Sequence, residues 1–389
     1  MTKSDDDYEK TTTSRRRLRL KKQTRSVTAK QINRPLNVSH VKARIDTGLK
    51  KKSESNSSGK GKRLVKTYVK KKMLPLPELT TLKDLIKLGK RIKQGQRFVR
   101  IDNDSLKRCC DHLQELDDLI GLEMLKSTVF DQLVYFLQKL DKITNNEYLH
   151  TMLAGPPGVG KTTVARILGK IYACLGVIEN PKSIFKIAHR EDLVASYLGQ
   201  TATKTLALLK SCLGGVLFID EVYSLGSGKE GKDSFSKEAV DTLCGFLSEN
   251  AGKFICIIAG YEKDIERCFF NLNKGLKSRF QWVHVLEPYS GTQLNKIFLS
   301  QINDIGWTVE EKDKREIENV FQDETLFENG QGRAIKNFLF KCKIAHSKRL
   351  LREQNKKNGC LSIQDIQDAV KSRANTHDES THNFQSMFL

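Results

Sequence analysis

The stretch "YLHTMLAGPPGVGKTTVARILGKIYACL", residues 148–175, decides the fold. It reads as a strand, "YLHTMLAG", then a turn rich in glycine and proline, then a helix, "KTTVARILGKIYACL". The turn satisfies the pattern G-x4-GK[ST] from Gly155 through Lys161 and Thr162, in the strand-to-helix setting that the pattern requires. Glycines let such a loop bend so that successive backbone N–H groups point inward. The N-terminus of the following helix adds positive potential, and together they hold phosphates. In that arrangement Lys161 reaches the β- and γ-phosphates of ATP and the Thr162 hydroxyl ligates Mg²⁺. The candidate nucleotide-binding loop is therefore Gly155, Pro156, Pro157, Gly158, Val159, Gly160, Lys161, Thr162 and Thr163.

A second stretch, "GGVLFIDEVYSL" (214–225), sets an apolar run against two adjacent acids. Val216 to Ile219 are apolar at odd and even positions alike, the mark of a strand buried on both faces. Asp220 and Glu221 are then either solvated acids at a strand end or carboxylates that face a cation or a reacting group. The phosphate loop selects between these. In one parallel sheet Asp220 emerges beside the loop, where it can hold Mg²⁺ through water, and Glu221 can orient and polarise the water that attacks the γ-phosphate.

Working outward, strands and helices alternate from about residue 117: "SIFKIAH", "KFICIIAG" and "WVHVLEP" read as strands, "ATKTLALLKSCL" and "SKEAVDTLCGFLSEN" as helices. This predicts an α/β fold, a parallel sheet covered on both faces, over 116–288. After Pro288 no further strand is expected; 291–304, 309–322, 332–354 and 362–372 read as helices, a helical lid over 289–373 followed by a tail, 374–389. Ahead of the sheet, Leu79, Leu82, Leu85 and Ile86 repeat at helical spacing and "DSLKRCCDHLQEL" (104–116) reads as a second helix after an Asp N-cap, so 76–115 forms a helical extension.

Charge is concentrated at the start. Residues 1–75 hold 23 Lys or Arg against 6 Asp or Glu, a net of +17 out of +21 for the chain. With Tyr8 and Tyr68 as its aromatics, this tail lacks the apolar surface to offset ordering entropy and is expected to be disordered. It serves targeting, contacts nucleic acid or another polyanion without reading sequence, or is simply solvated. No apolar run approaches the roughly 18 residues that span a bilayer and no secretory h-region opens the chain, so no membrane is expected. Nine scattered cysteines without CxxC spacing fit reduced thiols in an intracellular compartment, cytoplasmic or nuclear.

"GPPGVGKT" and "VLFIDE" together resemble an AAA+ ATPase, and further phrases narrow the resemblance: "LIGLEMLK" (119–126), "REDLVASYLGQTATKT" (190–205), "KEAVDTL" (237–243), "IIAGY" (257–261), "NKGLKSRF" (273–280) and "GRAIKN" (332–337). In order and spacing they are similar to the CbbX / stage V sporulation protein K family over about 116–352. The resemblance extends weakly into 81–115, where it is to members encoded by large DNA viruses. It implies an ATP hydrolase with Mg²⁺ that assembles as a homo-hexamer. Ile120 and Gly121 would line the adenine pocket. Arg279 would be an arginine finger on the γ-phosphate of the neighbouring subunit, and Arg333 a sensor touching nucleotide in its own subunit. Tyr197, Leu198 and Gly199 fall where the family carries its first pore loop, which grips an extended polypeptide; the alternative is a tyrosine packing locally. Polar sensor 1 is replaced by "AGY", which leaves Tyr261 or a neighbour to order water. Lys274 stands where the family usually has Pro, and nothing points to rubisco as substrate. The resemblance implies remodelling or threading of a protein. A nucleic-acid-dependent motor or loader, and a nucleotide-switched scaffold, are the alternatives.

Overall fold

Five short strands form the centre of the molecule: β1 (Thr151–Ala154), β2 (Phe185–Ala188), β3 (Val216–Ile219), β4 (Ile255–Gly260) and β5 (Trp282–Val285). All pair in parallel, in the order β2-β3-β4-β1-β5. The computed structural model describes residues 73–140, 149–176, 185–197, 199–226, 234–323, 326–327, 330–352 and 358–372. The basic tail up to residue 72, Leu198 and the segment 373–389 lie outside the described residues.

Burial follows the sheet order. Every residue of β1, β3 and β4 is buried, as the continuous apolar runs require, whereas the edge strands β2 and β5 keep partly exposed positions. Alternate side chains of the inner strands enter different cores. Leu153, Val216, Phe218, Ile255 and Ile257 pack with α1 (Leu82–Lys93), α2 (Asn103–Asp117), α3 (Glu123–Leu137) and α4 (Lys161–Leu175). Met152, Leu217, Ile219, Cys256 and Ile258 pack on the other face with α5 (Thr201–Ser211) and α6 (Ser234–Glu249). The period-two alternation of a strand thus builds two cores from one sequence run.

The extension shares the first of these cores. Thr81 and Asp84 form a capping box at the start of α1, and Asp102 caps α2 through the N–H groups of Asp104 and Ser105. From α2, Arg108 Nε donates to the Cys174 carbonyl at 2.9 Å and Ser105 Oγ to that of Leu175 at 3.3 Å. The extension therefore satisfies carbonyls that the C-terminal end of α4 would leave without partners. Met73 and Leu74, placed in the tail by the sequence reading, pair in parallel with Arg97 and Phe98.

The lid consists of α7 (Gly291–Asp304), α8 (Lys314–Val320), α9 (Gln331–Arg352) and a last helix, α10 (363–372). Its core is a cluster of Phe298, Phe321, Phe327 and Phe338, with ring centroids 5.1 Å apart for Phe298 and Phe321. Two expectations are corrected here. Strands do not cease after Pro288, since Thr308–Val309 pairs in parallel with Cys360–Leu361. The helix expected over 309–322 shrinks to 314–320 behind a 3-10 turn at Glu311–Asp313. The reason is a polar lock that periodicity does not reveal. Arg349 Nε donates to Asp365 Oδ1 at 2.7 Å, Arg349 Nη2 to the Cys360 carbonyl at 3.2 Å, and Asp313 Oδ2 accepts from the Ile363 N–H at 2.7 Å. Among the described residues no helix is long and apolar enough to cross a membrane.

Candidate active site

Because β1 and β3 flank β4, the turns after all three open at the same carboxyl edge of the sheet, the edge at which parallel α/β sheets bind ligands. Gly155 N–H donates to the Gly260 carbonyl at 3.1 Å, which ties the turn after β1 to the end of β4. A cavity of about 220 Å³ results, lined by Pro157, Gly158, Gly160, Lys161, Thr162 and Thr163 of the loop, with Asp220, Glu221, Tyr223, Gly260, Tyr261 and Arg333 around it.

Lys161 Nζ donates to the carbonyls of Gly155 and Pro156, both at 2.9 Å, so its ammonium is held by its own loop. Burial lowers its pKa, while Asp220 and Glu221 pull the other way. The Thr162 hydroxyl donates to Asp220 Oδ2 at 3.0 Å. A hydroxyl and a carboxylate oxygen in contact are a hard-oxygen donor pair of the kind Mg²⁺ takes, so these residues fit that ion. Asp220 Oδ1 accepts from the Glu221 N–H at 3.0 Å, and Glu221 has φ +49°, left-handed backbone unusual for a side chain of this size. That turn sends Glu221 into solvent at the cavity edge while Asp220 stays half-buried.

Two tyrosines complete the wall. Tyr261 follows β4 and lies under the Lys161 ammonium, 5.4 Å from ring centroid to Nζ. Tyr223 packs against it with ring centroids 5.5 Å apart, and burial, helped by Glu221 and Tyr261, pushes its phenol up to about 12. Sequence reading pointed to Tyr261 but missed Tyr223, which sits in "DEVYSL" two residues beyond Glu221.

The lid closes the other side. The Gly332 N–H donates to the Gly158 carbonyl at 3.2 Å, and Arg333, the next residue, reaches the cavity. Gly158 has φ +77°, and a Cβ there would meet the Gly330 carbonyl oxygen at 2.0 Å. A neighbouring cavity of about 500 Å³ shares Gly158, Gly160 and Thr163 with the first. Ile120 and the buried Val159 line it together with Tyr289, Ile297 and Gln301 from the lid side. Tyr289 Oη donates to the Val159 carbonyl at 3.0 Å. Gly121, with φ +68°, is not part of the wall; a Cβ there would strike the Gln293 side chain of α7 at 2.8 Å. Of the lid residues of this second cavity, Gly332 falls in the "GRAIKN" motif, whereas Tyr289, Ile297 and Gln301 had no motif to reveal them.

Arg279 stands apart, outside both cavities. Its Nε and Nη2 donate to Ser248 Oγ at 2.9 and 2.6 Å, and Nη1 donates to the Gly275 carbonyl. Tyr197 is 71% exposed, and Gly199 beyond it has φ +78°. Leu198, the middle of that trio, lies outside the described residues.

A parallel sheet with a phosphate loop after its first strand, acids after the third and a helical lid defines a P-loop ATPase of the AAA fold. Residues 151–284 match the "ATPase family associated with various cellular activities (AAA)". The chain is 36% identical over 312 residues to a cfxQ-like protein of Acanthamoeba polyphaga mimivirus, covering 79% of this chain and 76% of that one. It is 34% identical over 271 residues to stage V sporulation protein K of Bacillus subtilis, covering 67% of this chain and 83% of that protein. With the ESX-1 secretion system protein EccA1 of Mycobacterium tuberculosis it shares 38% over 203 residues, 50% of this chain and 35% of that one. The chain belongs to the CbbX / stage V sporulation protein K family of AAA ATPases.

Proposed function

We propose that this ATPase hydrolyses ATP with Mg²⁺ as a ring, a homo-hexamer, and uses turnover to remodel or thread a protein substrate. Lys161 and the loop N–H groups of 158–162 neutralise and orient the phosphates. Thr162 and Asp220 would hold Mg²⁺, which would supply positive charge to the phosphate oxygens. Glu221 orients the attacking water and takes up its proton. Tyr261, beneath the Lys161 ammonium, fills the sensor position where a polar residue is usual, and Tyr223 supports it. Arg333 reads the nucleotide of its own subunit from the lid, and Ile120 contacts the base.

The observation that carries the ring reading is the isolation of Arg279. Its guanidinium is aligned by Ser248 and Gly275 yet lines neither cavity of its own chain. An arginine so prepared suits a γ-phosphate held by a neighbour, since the fork of donors matches phosphate geometry. Threading is supported by Tyr197, a large aromatic left open to solvent, whose face can contact any side chain. The free thiols of all nine cysteines suit a reducing compartment, cytoplasmic or nuclear.

The +17 charge of residues 1–75 favours a second reading, a motor or loader stimulated by nucleic acid. Steady-state ATPase activity with unfolded protein, DNA and RNA added separately tests both. Stimulation by protein is expected. Stimulation by DNA or RNA alone replaces threading with the motor, and tight binding without stimulation by any polymer replaces both with a nucleotide-switched scaffold.

A further inference from the structure

The lid carries another concavity besides those around the phosphate loop. Between α7 and α9 lies a mainly apolar groove of about 830 Å³, lined by Ile305, Leu339 and Phe340 together with Lys336, Lys341 and Lys343 and a single acid, Asp304. Phe340 is 64% exposed and Ile305 41% exposed. Clustered apolar side chains left in water and rimmed by charged ones mark a surface that something covers.

The chain offers an occupant at this spot. Lys341, a wall of the groove, donates through Nζ to the backbone oxygen of Ser372 at 3.5 Å, so α10 ends beside the groove and the segment from 373 onward departs from there. That segment reads "RANTHDESTHNFQSMFL". Phe384, Met387 and Phe388 are spaced i, i+3 and i+4, which puts them on one face of a helical turn, the pattern that fills an apolar groove. Asp378 and Glu379 precede them and oppose in sign the three groove lysines. The spacer 373–383 spans at most roughly 36–40 Å when extended, more than enough for a segment that starts at the groove wall.

We propose that residues 384–388 of this chain dock in its own lid groove as a short amphipathic turn, with Asp378 and Glu379 set against Lys336, Lys341 and Lys343. Gln301 and Asp304 line both this groove and the larger nucleotide cavity. The docked turn thus packs against the helix that faces the base, and occupancy at one site couples to the other.

Binding of a fluorescein-labelled peptide of residues 376–389, read by anisotropy, tests this. The probe is titrated against the full chain, a chain ending at 373, and that shorter chain carrying Phe340→Asp. The shorter chain should bind the peptide about 10- to 100-fold more tightly than the full chain, whose tethered copy competes at high effective concentration. Phe340→Asp should lose a similar factor, the value of one buried aromatic side chain. As Phe340 is exposed, its variant should melt like the parent. A full chain with Phe384→Asp and Phe388→Asp, which leaves the lid itself untouched, should bind the peptide as the shorter chain does. Equal binding by full and shortened chains, or none by the shortened chain, overturns the proposal. Competition that fades on dilution of the full chain assigns the groove to a second copy and overturns docking within one chain.

Discussion

The phosphate-loop end of the sheet and two positions outside it, Arg279 and Tyr197, are built on different plans. Around the loop the contacts lie within one chain: Lys161 donates to the carbonyls of Gly155 and Pro156, Thr162 donates to Asp220, and the turn before Arg333 is tied to Gly158 through Gly332. Elsewhere, Arg279 is aligned by Ser248 but lines neither of the cavities at the phosphate loop, and Tyr197 projects into solvent. One region is built from contacts within a single chain, whereas under the ring reading proposed above Arg279 and Tyr197 act on a neighbouring subunit and on substrate. The first should therefore fail when one of its own residues is changed, and the second should fail only where subunits or substrate meet.

The largest effects are expected at the loop. Lys161→Ala should abolish ATP binding, because it removes the charge that holds the phosphates, while Glu221→Gln should bind ATP and not turn it over. Equilibrium binding of labelled nucleotide alongside turnover separates the two; normal turnover in both would break the comparison at its first term. Arg279→Ala should bind ATP but hydrolyse it slower by roughly 10³- to 10⁵-fold, the range for an arginine finger. Mixed Arg279→Ala and Glu221→Gln subunits should regain activity, as some interfaces carry both native residues. If subunits exchange and no activity returns, Arg279 acts within its own chain.

Gly158→Ala sharpens the contrast from the lid side. Its Cβ would meet the Gly330 carbonyl at 2.0 Å on a backbone with φ +77°, so the lid must move off the loop. ATP affinity should fall about 10- to 100-fold, in keeping with about 1–3 kcal/mol of backbone strain. Isothermal titration decides this, and unchanged affinity would mean that the lid contact has no part in holding nucleotide. Tyr197→Ala should leave nucleotide binding and assembly intact and remove only stimulation by protein, whereas Tyr197→Phe should be nearly silent because the ring face supplies the grip. Retention of every stimulated activity in an assembled Tyr197→Ala variant returns this residue to local packing. The smallest effect on turnover is expected from deleting residues 1–72: basal activity nearly unchanged, with loss of salt-sensitive association with DNA or RNA. Association that survives with the same salt slope locates the contact in the folded domains.

What could be read without coordinates and what could not divides along a physical line. The parallel α/β fold was legible because strands buried on both faces leave continuous apolar runs, and those at 216–219 and 255–260 are bounded by turn residues. The phosphate loop was legible because one contiguous segment carries it, with glycines that its turn requires. The two-residue strand pairs were not legible, as nothing repeats within two residues, and the lid pairing of Thr308–Val309 with Cys360–Leu361 rests on Arg349 and Asp365 meeting across it. The same limit hid Tyr223, Tyr289 and Gln301, whose places depend on which turns converge at one sheet edge. Sequence alone determined the class of chemistry, since phosphate binding is a local property of one loop and its flanking elements. Only the tertiary structure decided which side chains share a cavity with that loop and that Arg279 does not, because proximity between residues more than a hundred positions apart follows from strand order and lid packing, which local patterning does not encode.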